Sequence, residues 1–221
     1  MDLYLDSAST DDWDRLMPTG MFTGITTNPL LASRAGLTYP QIDWTRMAQH
    51  AQSLGAQELH AQVYGAPETF LPWVETLMEA GEKAGIRTVV KVPLVERAIR
   101  QVPALKAAGC PILMTACYDA KQMLVASGLR ADYIAPYFGR MLEAGLPAYD
   151  AMAQMLAVTK SPGNKTRVLI ASLRDTDQLC RLAEMGHDCF TISAAVADML
   201  LSDGMSETAV AQFEEATKGP Q

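Results

Sequence analysis

Thr88-Val89-Val90-Lys91-Val92-Pro93 is the stretch from which the fold of this chain is read. It is a short β-branched run fenced by Gly85 before it and ended by Pro93, the pattern of a strand buried on both faces, as in a parallel sheet covered by helices. Side chains alternate along a strand, so Val89 and Lys91 share one face while Val90 and Val92 share the other, which is fit to pack under helices. Lys91 then points into the interior. Burial disfavours the ammonium and lowers a lysine's pKa, which yields a neutral amine able to attack a carbonyl. The alternative is a lysine near the strand's end that snorkels to water or pairs with an acid.

Outward from this strand the chain alternates between short apolar runs and amphipathic segments. Strands are expected at 3–7, 22–27, 58–63, 88–93, 112–118, 132–137, 167–172 and 188–193. Between them, Thr10-Asp11-Asp12 opens a short helix, and Asn28-Pro29 offers an N-cap with proline at the first helical position. Pro40 opens a helix carrying Trp44, Met47, Ala48, Ala51 and Leu54 on one face, and Pro67 one with Phe70, Leu71, Val74, Leu77 and Met78. A helical stretch at 95–109 is interrupted by Pro103, and Asp119 caps the next; a loop then leads to a helix at 149–158, with others at 175–184 and 196–201. Strict alternation implies parallel strands joined by crossovers, and eight such units close into a (β/α)₈ TIM barrel; a doubly wound open sheet is the runner-up. A further amphipathic helix at about 206–217 is surplus to the barrel and is expected to cover a neighbouring subunit.

The 221 residues suit a single barrel domain spanning the chain. A formal charge of −7 argues against broad binding to nucleic acid or anionic membranes, which need basic patches, but allows a small anionic substrate held by a few local arginines. The opening Met1-Asp2-Leu3-Tyr4-Leu5-Asp6 has neither a basic nor a long apolar segment, so the expected location is the cytoplasm. Cys110, Cys117, Cys180 and Cys189 form no CxxC pair and there are three histidines, so neither a metal site nor a cofactor is expected, and the cysteines read as reduced core residues.

Barrels of this kind carry their chemistry at the C-terminal ends of the strands. Asp6, Thr26 and Asn28, Gln62, Lys91, Thr115, Tyr137 and Ser172 fall at such ends, with Arg140 and Arg174 just beyond the last two. Each has an ordinary alternative: Asp6 and Asn28 as caps, Tyr137 as core, the arginines as solvated surface. Together they place an anion clamp and several proton-bearing groups around one buried amine.

Leu3-Tyr4-Leu5-Asp6-Ser7, Gly24-Ile25-Thr26-Thr27-Asn28-Pro29, Ala61-Gln62-Val63, Val89-Val90-Lys91-Val92-Pro93, Thr115-Ala116-Cys117-Tyr118, Tyr133-Ile134-Ala135-Pro136-Tyr137, Gly139-Arg140 and Ala171-Ser172-Leu173-Arg174 resemble, in order, the transaldolase family, and most nearly its small fructose-6-phosphate aldolase branch. The resemblance implies a (β/α)₈ barrel in which Lys91 forms a Schiff base with a ketose, with no cofactor. It implies that Asp6 contacts the lysine-bound substrate, that Thr115, Gln62 and Tyr137 position the water or hydroxyl that moves protons, and that Asn28 and Ser172 hold hydroxyls of the dihydroxyacetone unit. Arg140, with Ser172 and Arg174, would bind the terminal phosphate. Gln62 and Tyr137 resemble the aldolases, whereas transaldolases generally carry glutamate and phenylalanine there; Gly139 before Arg140 resembles the transaldolases. The resemblance also implies a homo-oligomer, a decamer or pentamer. The leading expectation is an aldolase that splits or makes fructose 6-phosphate through Lys91. The second is transaldolase, passing the three-carbon unit to an aldose phosphate such as erythrose 4-phosphate, and the third is a noncatalytic sugar-phosphate-binding barrel.

Overall fold

The computed structural model describes residues 1–218, and in it every apolar run is a strand. These are β1 Asp2–Asp6, β2 Phe22–Thr26, β3 Glu58–Gln62, β4 Arg87–Pro93, β5 Ile112–Cys117, β6 Tyr133–Pro136, β7 Arg167–Val168 and β8 Cys189–Ile192. Between and after them come α1 Thr10–Leu16, α2 Pro29–Arg34, α3 Trp44–Ser53, α4 Phe70–Ala84, α5 Glu96–Ile99, α6 Val102–Ala107, α7 Lys121–Gly128, α8 Phe138–Glu143, α9 Ala148–Thr159, α10 Thr176–Glu184, α11 Ala194–Leu201 and α12 Gly204–Ala216. All strand pairs are parallel, in the order β7-β6-β5-β4-β3-β2-β1-β8, and a bridge between Ile170 and Phe190 brings the two ends of the sheet together. The fold is therefore a TIM barrel rather than an open sheet, with α12 beyond the eighth unit. No helix among the described residues is long and apolar enough to cross a membrane.

The two faces of β4 separate as alternation requires. Val90 and Val92 lie in the apolar layer between barrel and helices, and Val89 joins Tyr4, Leu113, Tyr133, Ala135, Leu169, Ala171 and Cys189 inside the barrel. The inner face of β3 is polar throughout: Glu58, His60 and Gln62 stand two apart along it. Glu58 Oε2 accepts from His60 Nε2 at 2.7 Å and from the hydroxyls of Tyr4 and Tyr133 at 3.0 and 3.1 Å, and Arg87 caps the carboxylate from the rim. Burial alone would raise the Glu58 carboxyl, but the hydrogen bonds and charge of His60 and Arg87 overcome it and hold the group down at about 2. Burial lowers the His60 pKa while Glu58 works against the shift, and its Nδ1 has no hydrogen-bond partner among the described residues. This network floors the barrel: His60 is in register with Val89, and Glu58 with Arg87, below the Gln62–Lys91 pair.

Several local expectations change. The helix expected from Pro40 begins at Trp44, because the Asp43 side chain accepts from Arg46 N and makes the better cap, while Tyr39–Gln41 forms a single 3₁₀ turn. Pro103 opens α6 at a position where no backbone N–H is needed, so the interrupted stretch is two helices. The Asp119 side chain accepts from Lys121 N, but Ala120 holds the cap position of α7. The segment expected as a loop after β6 contains α8, which starts directly from Tyr137 with no side-chain cap to announce it. β7 is shorter than expected: regular pairing stops at Val168, isolated bridges continue at Ile170 and Ala171, and Ser172 turns into left-handed backbone at φ 65°. Cys110, Cys117 and Cys189 are buried, whereas Cys180 is exposed on α10 and is no core residue.

Candidate active site

The C-terminal ends of the strands open onto a cavity of about 600 Å³. Asp6, Asn28, Gln62, Lys91, Tyr137, Arg140, Ser172 and Arg174 line it, while Thr26 and Thr115 are fully buried behind its wall. Lys91 sits on β4 in register with Gln62 of β3, and it is only 4% exposed. Its amine makes no ion pair among the described residues. Burial lowers its pKa below the usual lysine value, and the nearby charge of Asp6 opposes that shift without cancelling it.

Asp6 ends β1, paired with Thr26 of β2. The Thr26 hydroxyl donates to Asp6 Oδ1 at 2.7 Å and shares a 2.6 Å hydrogen bond with Thr191 Oγ1. Thr26, expected on the cavity wall as a substrate contact, instead fixes the rotamer of the carboxylate that is there. Thr115 plays the matching part across the barrel: its hydroxyl lies 3.0 Å from Tyr137 Oη. Burial raises the pKa of the Tyr137 hydroxyl while the bond to Thr115 works against the shift, so this phenol is a protonated donor at neutral pH.

Gln62 is held by a device that spacing along the chain could not reveal. β2 stops pairing with β3 at Thr26 and His60, which leaves the backbone of Gln62 without a strand on that side. The Tyr39 hydroxyl fills the gap, donating to Gln62 O and accepting from Gln62 N, both at 2.8 Å. The Tyr39 ring is wedged among Trp44, Tyr64 and Trp73. Tyr39→Phe keeps that packing and strands one N–H and one C=O, so we expect a loss of about 1–3 kcal/mol in denaturant unfolding. A loss under about 0.5 kcal/mol would mean that water replaces the hydroxyl and the bracket contributes little.

Asn28 is an N-cap that also lines the cavity. Its Oδ1 accepts from Leu30 N and Leu31 N at 2.9 and 3.0 Å and caps α2, which leaves its amide N–H groups for the cavity. At the opposite rim Arg140 has no carboxylate partner among the described residues: its Nη1 donates to Tyr118 Oη at 3.4 Å, and its guanidinium stands 5.1 Å over the Tyr137 ring. Arg174 is less free, since its Nε donates to Glu143 Oε1 at 2.7 Å. The Ser172 hydroxyl is buried without a partner. A buried neutralisable amine beside a carboxylate, a phenol opposite, and two guanidiniums at one rim can form an iminium, move a proton and hold an anion.

Thr191, Ser193 and Arg34 also line the cavity and were not expected there. The rule that found the others, polar residues where a strand ends, applies equally to Thr191 and Ser193 on the eighth strand. Arg34 closes α2 and reaches the mouth through tertiary placement, for which the sequence carries no signal.

Among solved structures, a thiamine phosphate pyrophosphorylase from Pyrococcus furiosus superposes with a TM-score of 0.59 at 13% identity, over 89% of this chain and 87% of that one. A protein described as a lactate oxidase of Pediococcus acidilactici gives 0.61 at 11%, over 88% of this chain and 63% of that one, which is under two thirds of its length. At such identities the likeness shows the barrel alone. Sequence relatives are more specific: a protein named probable transaldolase from Phenylobacterium zucineum is 30% identical over 218 residues, 96% of this chain and 94% of the relative. Another of that name, from Leptospira biflexa, is 27% identical over 223 residues, 99% of this chain and 98% of the relative. A family model described as Transaldolase/Fructose-6-phosphate aldolase matches residues 3–219. With that match across nearly its whole length, the chain belongs to the Transaldolase/Fructose-6-phosphate aldolase family.

Proposed function

We propose that the chain is a Schiff-base transaldolase that carries a dihydroxyacetone unit on Lys91 from a ketose phosphate to an aldose phosphate. The observation that carries this reading is Lys91 itself, a buried amine without an ion-pair partner on the wall of a cavity whose rim holds Arg140. The names of near full-length relatives put transfer ahead of simple cleavage, reversing the order expected from the sequence. Cleavage of fructose 6-phosphate by an aldolase is retained as the second reading, because this chain places a Tyr137 hydroxyl, 3.0 Å from Thr115, where transaldolases generally carry phenylalanine.

Neutral Lys91 adds to the ketose C2 carbonyl, and loss of water leaves an iminium. The C3–C4 bond then breaks, its electrons pass to the iminium to give an enamine, and the C4 hydroxyl proton leaves to a base as the aldose phosphate departs. Asp6, held by Thr26, and a water on Tyr137 and Gln62 are the proton acceptors in reach of that wall. The enamine attacks a second aldehyde, and hydrolysis releases the new ketose and free Lys91. The test is fructose 6-phosphate with erythrose 4-phosphate: a seven-carbon ketose phosphate should form, and its absence would remove transfer from consideration.

Arg140 is the proposed main phosphate contact: its guanidinium pairs with no carboxylate among the described residues, whereas Arg174 is held by Glu143. A charge-assisted hydrogen bond contributes roughly 1.5–3 kcal/mol. Arg140→Ala should therefore raise KM for fructose 6-phosphate roughly 10- to 150-fold and leave Schiff-base trapping of unphosphorylated dihydroxyacetone nearly unchanged. Equal losses for both would take Arg140 out of the phosphate site.

Assembly into a homo-oligomer through α12 is part of the same proposal. That helix has no buried residue and exposes Met205, Val210 and Phe213, the last at 68%. Apolar side chains so placed are stabilised by a covering partner. Phe213→Glu should shift the mass measured by light scattering to a smaller species, and a wild-type monomer would end the proposal.

A further inference from the structure

We infer that Gly139 is a positioning residue for the anion end of the cavity, setting the backbone of Ser172 so that its hydroxyl meets the bound anion. This rests on the proposed reading of Arg140 and Ser172 as the phosphate site. Four observations converge. Ser172 adopts left-handed backbone, φ 65°, which a residue with a side chain takes up only where its surroundings impose it. What imposes it is α8: Gly139 N donates to Ser172 O at 3.1 Å, and Phe138 N donates to Ala171 O at 3.0 Å. The approach needs a bare Cα, because a Cβ on Gly139 would overlap the Ser172 carbonyl oxygen and stand 3.2 Å from Arg174 Cγ. The turn leaves Ser172 Oγ buried, without a partner, in a residue of the cavity wall.

Gly139 thus touches the backbone of one proposed anion contact and faces the stem of a second, Arg174, and it is bonded directly to a third, Arg140. Its place inside a helix is costly in conformational entropy, and the contact with Ser172 accounts for that cost. Any side chain at 139 must push the 172–174 backbone away from α8, and the displacement falls on the hydroxyl and the guanidinium rather than on Lys91, which lies across the cavity on β4.

The experiment compares Gly139→Ala, Ser172→Gly and the double variant, using calorimetric binding of inorganic phosphate, KM and kcat for fructose 6-phosphate with erythrose 4-phosphate, and borohydride trapping of dihydroxyacetone. Ser172→Gly removes the hydroxyl while accepting the same backbone. Each single variant should weaken phosphate binding and raise KM by at least about tenfold, the low end for a hydrogen bond to a charged group, while kcat and trapping in Gly139→Ala change by less than about threefold. In the Ser172→Gly background, Gly139→Ala should add less than it costs alone, since no hydroxyl remains to misplace and only the Arg174 guanidinium can still shift. Full additivity, or an equal loss of trapping, would make Gly139 merely structural and overturn the inference. Wild-type phosphate binding in Gly139→Ala beside weakened binding in Ser172→Gly would overturn it while sparing the phosphate site; unchanged binding in both Ser172→Gly and Arg140→Ala would sink the site itself. Should Gly139→Ala fail to fold, amide hydrogen exchange of the wild type decides. The Gly139 amide should be protected and slow further on adding phosphate, and an unprotected amide, or one that phosphate leaves unmoved, would overturn the inference.

Discussion

Lys91→Met should lower turnover by about 10⁶-fold, the scale seen when a covalent nucleophile is removed, and should abolish the adduct that borohydride traps with fructose 6-phosphate. Methionine nearly matches the volume of lysine and needs no solvation, so the variant should be at least as resistant to denaturant as wild type; the loss is then chemical and not a loss of fold. The pH dependence of trapping gives the direction of the underlying effect. Only the neutral amine reacts, so trapping rises with pH, and because burial lowers the Lys91 pKa below the usual 10.5 the plateau should be reached below that value. Asp6 opposes the shift. Asp6→Asn should therefore move the plateau to still lower pH, even as it slows later proton transfers. Retained turnover in Lys91→Met, or a plateau reached only above 10.5, would contradict the buried-amine reading.

The barrel was legible because its strands are apolar runs fenced by glycine and proline, a local signal that tertiary packing had no reason to override. The site was legible in outline for a related reason: polar side chains at the ends of buried strands are costly unless they face a common cavity, so Asp6, Gln62, Lys91 and Tyr137 converge as the alternation requires. What the sequence withheld depends on contacts between distant segments. Tyr39 bracketing Gln62 joins residues that no periodicity relates, Glu143 draws Arg174 partly away from the cavity, and Thr26 and Thr115 act from behind the wall rather than upon it. Helix α8 was hidden for a subtler reason. It has no side-chain cap to announce it and carries Gly139 inside it, whose bare Cα meets the Ser172 carbonyl. The polar alternation Glu58, His60, Gln62 was visible along the third strand, yet its meaning needed Tyr4, Tyr133 and Arg87 to be brought in from three other strands.

In the proposed reaction, transfer and release of the three-carbon unit are separated by what happens to an enamine on Lys91, and Tyr137→Phe tests that step. Release of free dihydroxyacetone requires the enamine carbon to be protonated by a water or an acid, whereas attack on an aldehyde forms a carbon–carbon bond at the same atom and needs no such proton. The Tyr137 hydroxyl, kept protonated by burial and oriented by Thr115 at 3.0 Å, is placed to hold that water. Removing it should slow acceptor-independent cleavage of fructose 6-phosphate by at least ~10²-fold, the lower end of typical proton-transfer contributions. Transfer to erythrose 4-phosphate should fall far less, because proton removal from the C4 hydroxyl still has Asp6 within the same wall. The measurement is glyceraldehyde 3-phosphate release with and without erythrose 4-phosphate, for both proteins side by side. Wild type that turns over only with the acceptor is a transaldolase, and the second reading fails. Wild type that cleaves freely and loses this ability in Tyr137→Phe while keeping transfer would make the hydroxyl the residue that admits water to the enamine. If both reactions fall equally, Tyr137 acts before the branch point, on cleavage of the C3–C4 bond, and the choice between acceptors lies elsewhere in the cavity.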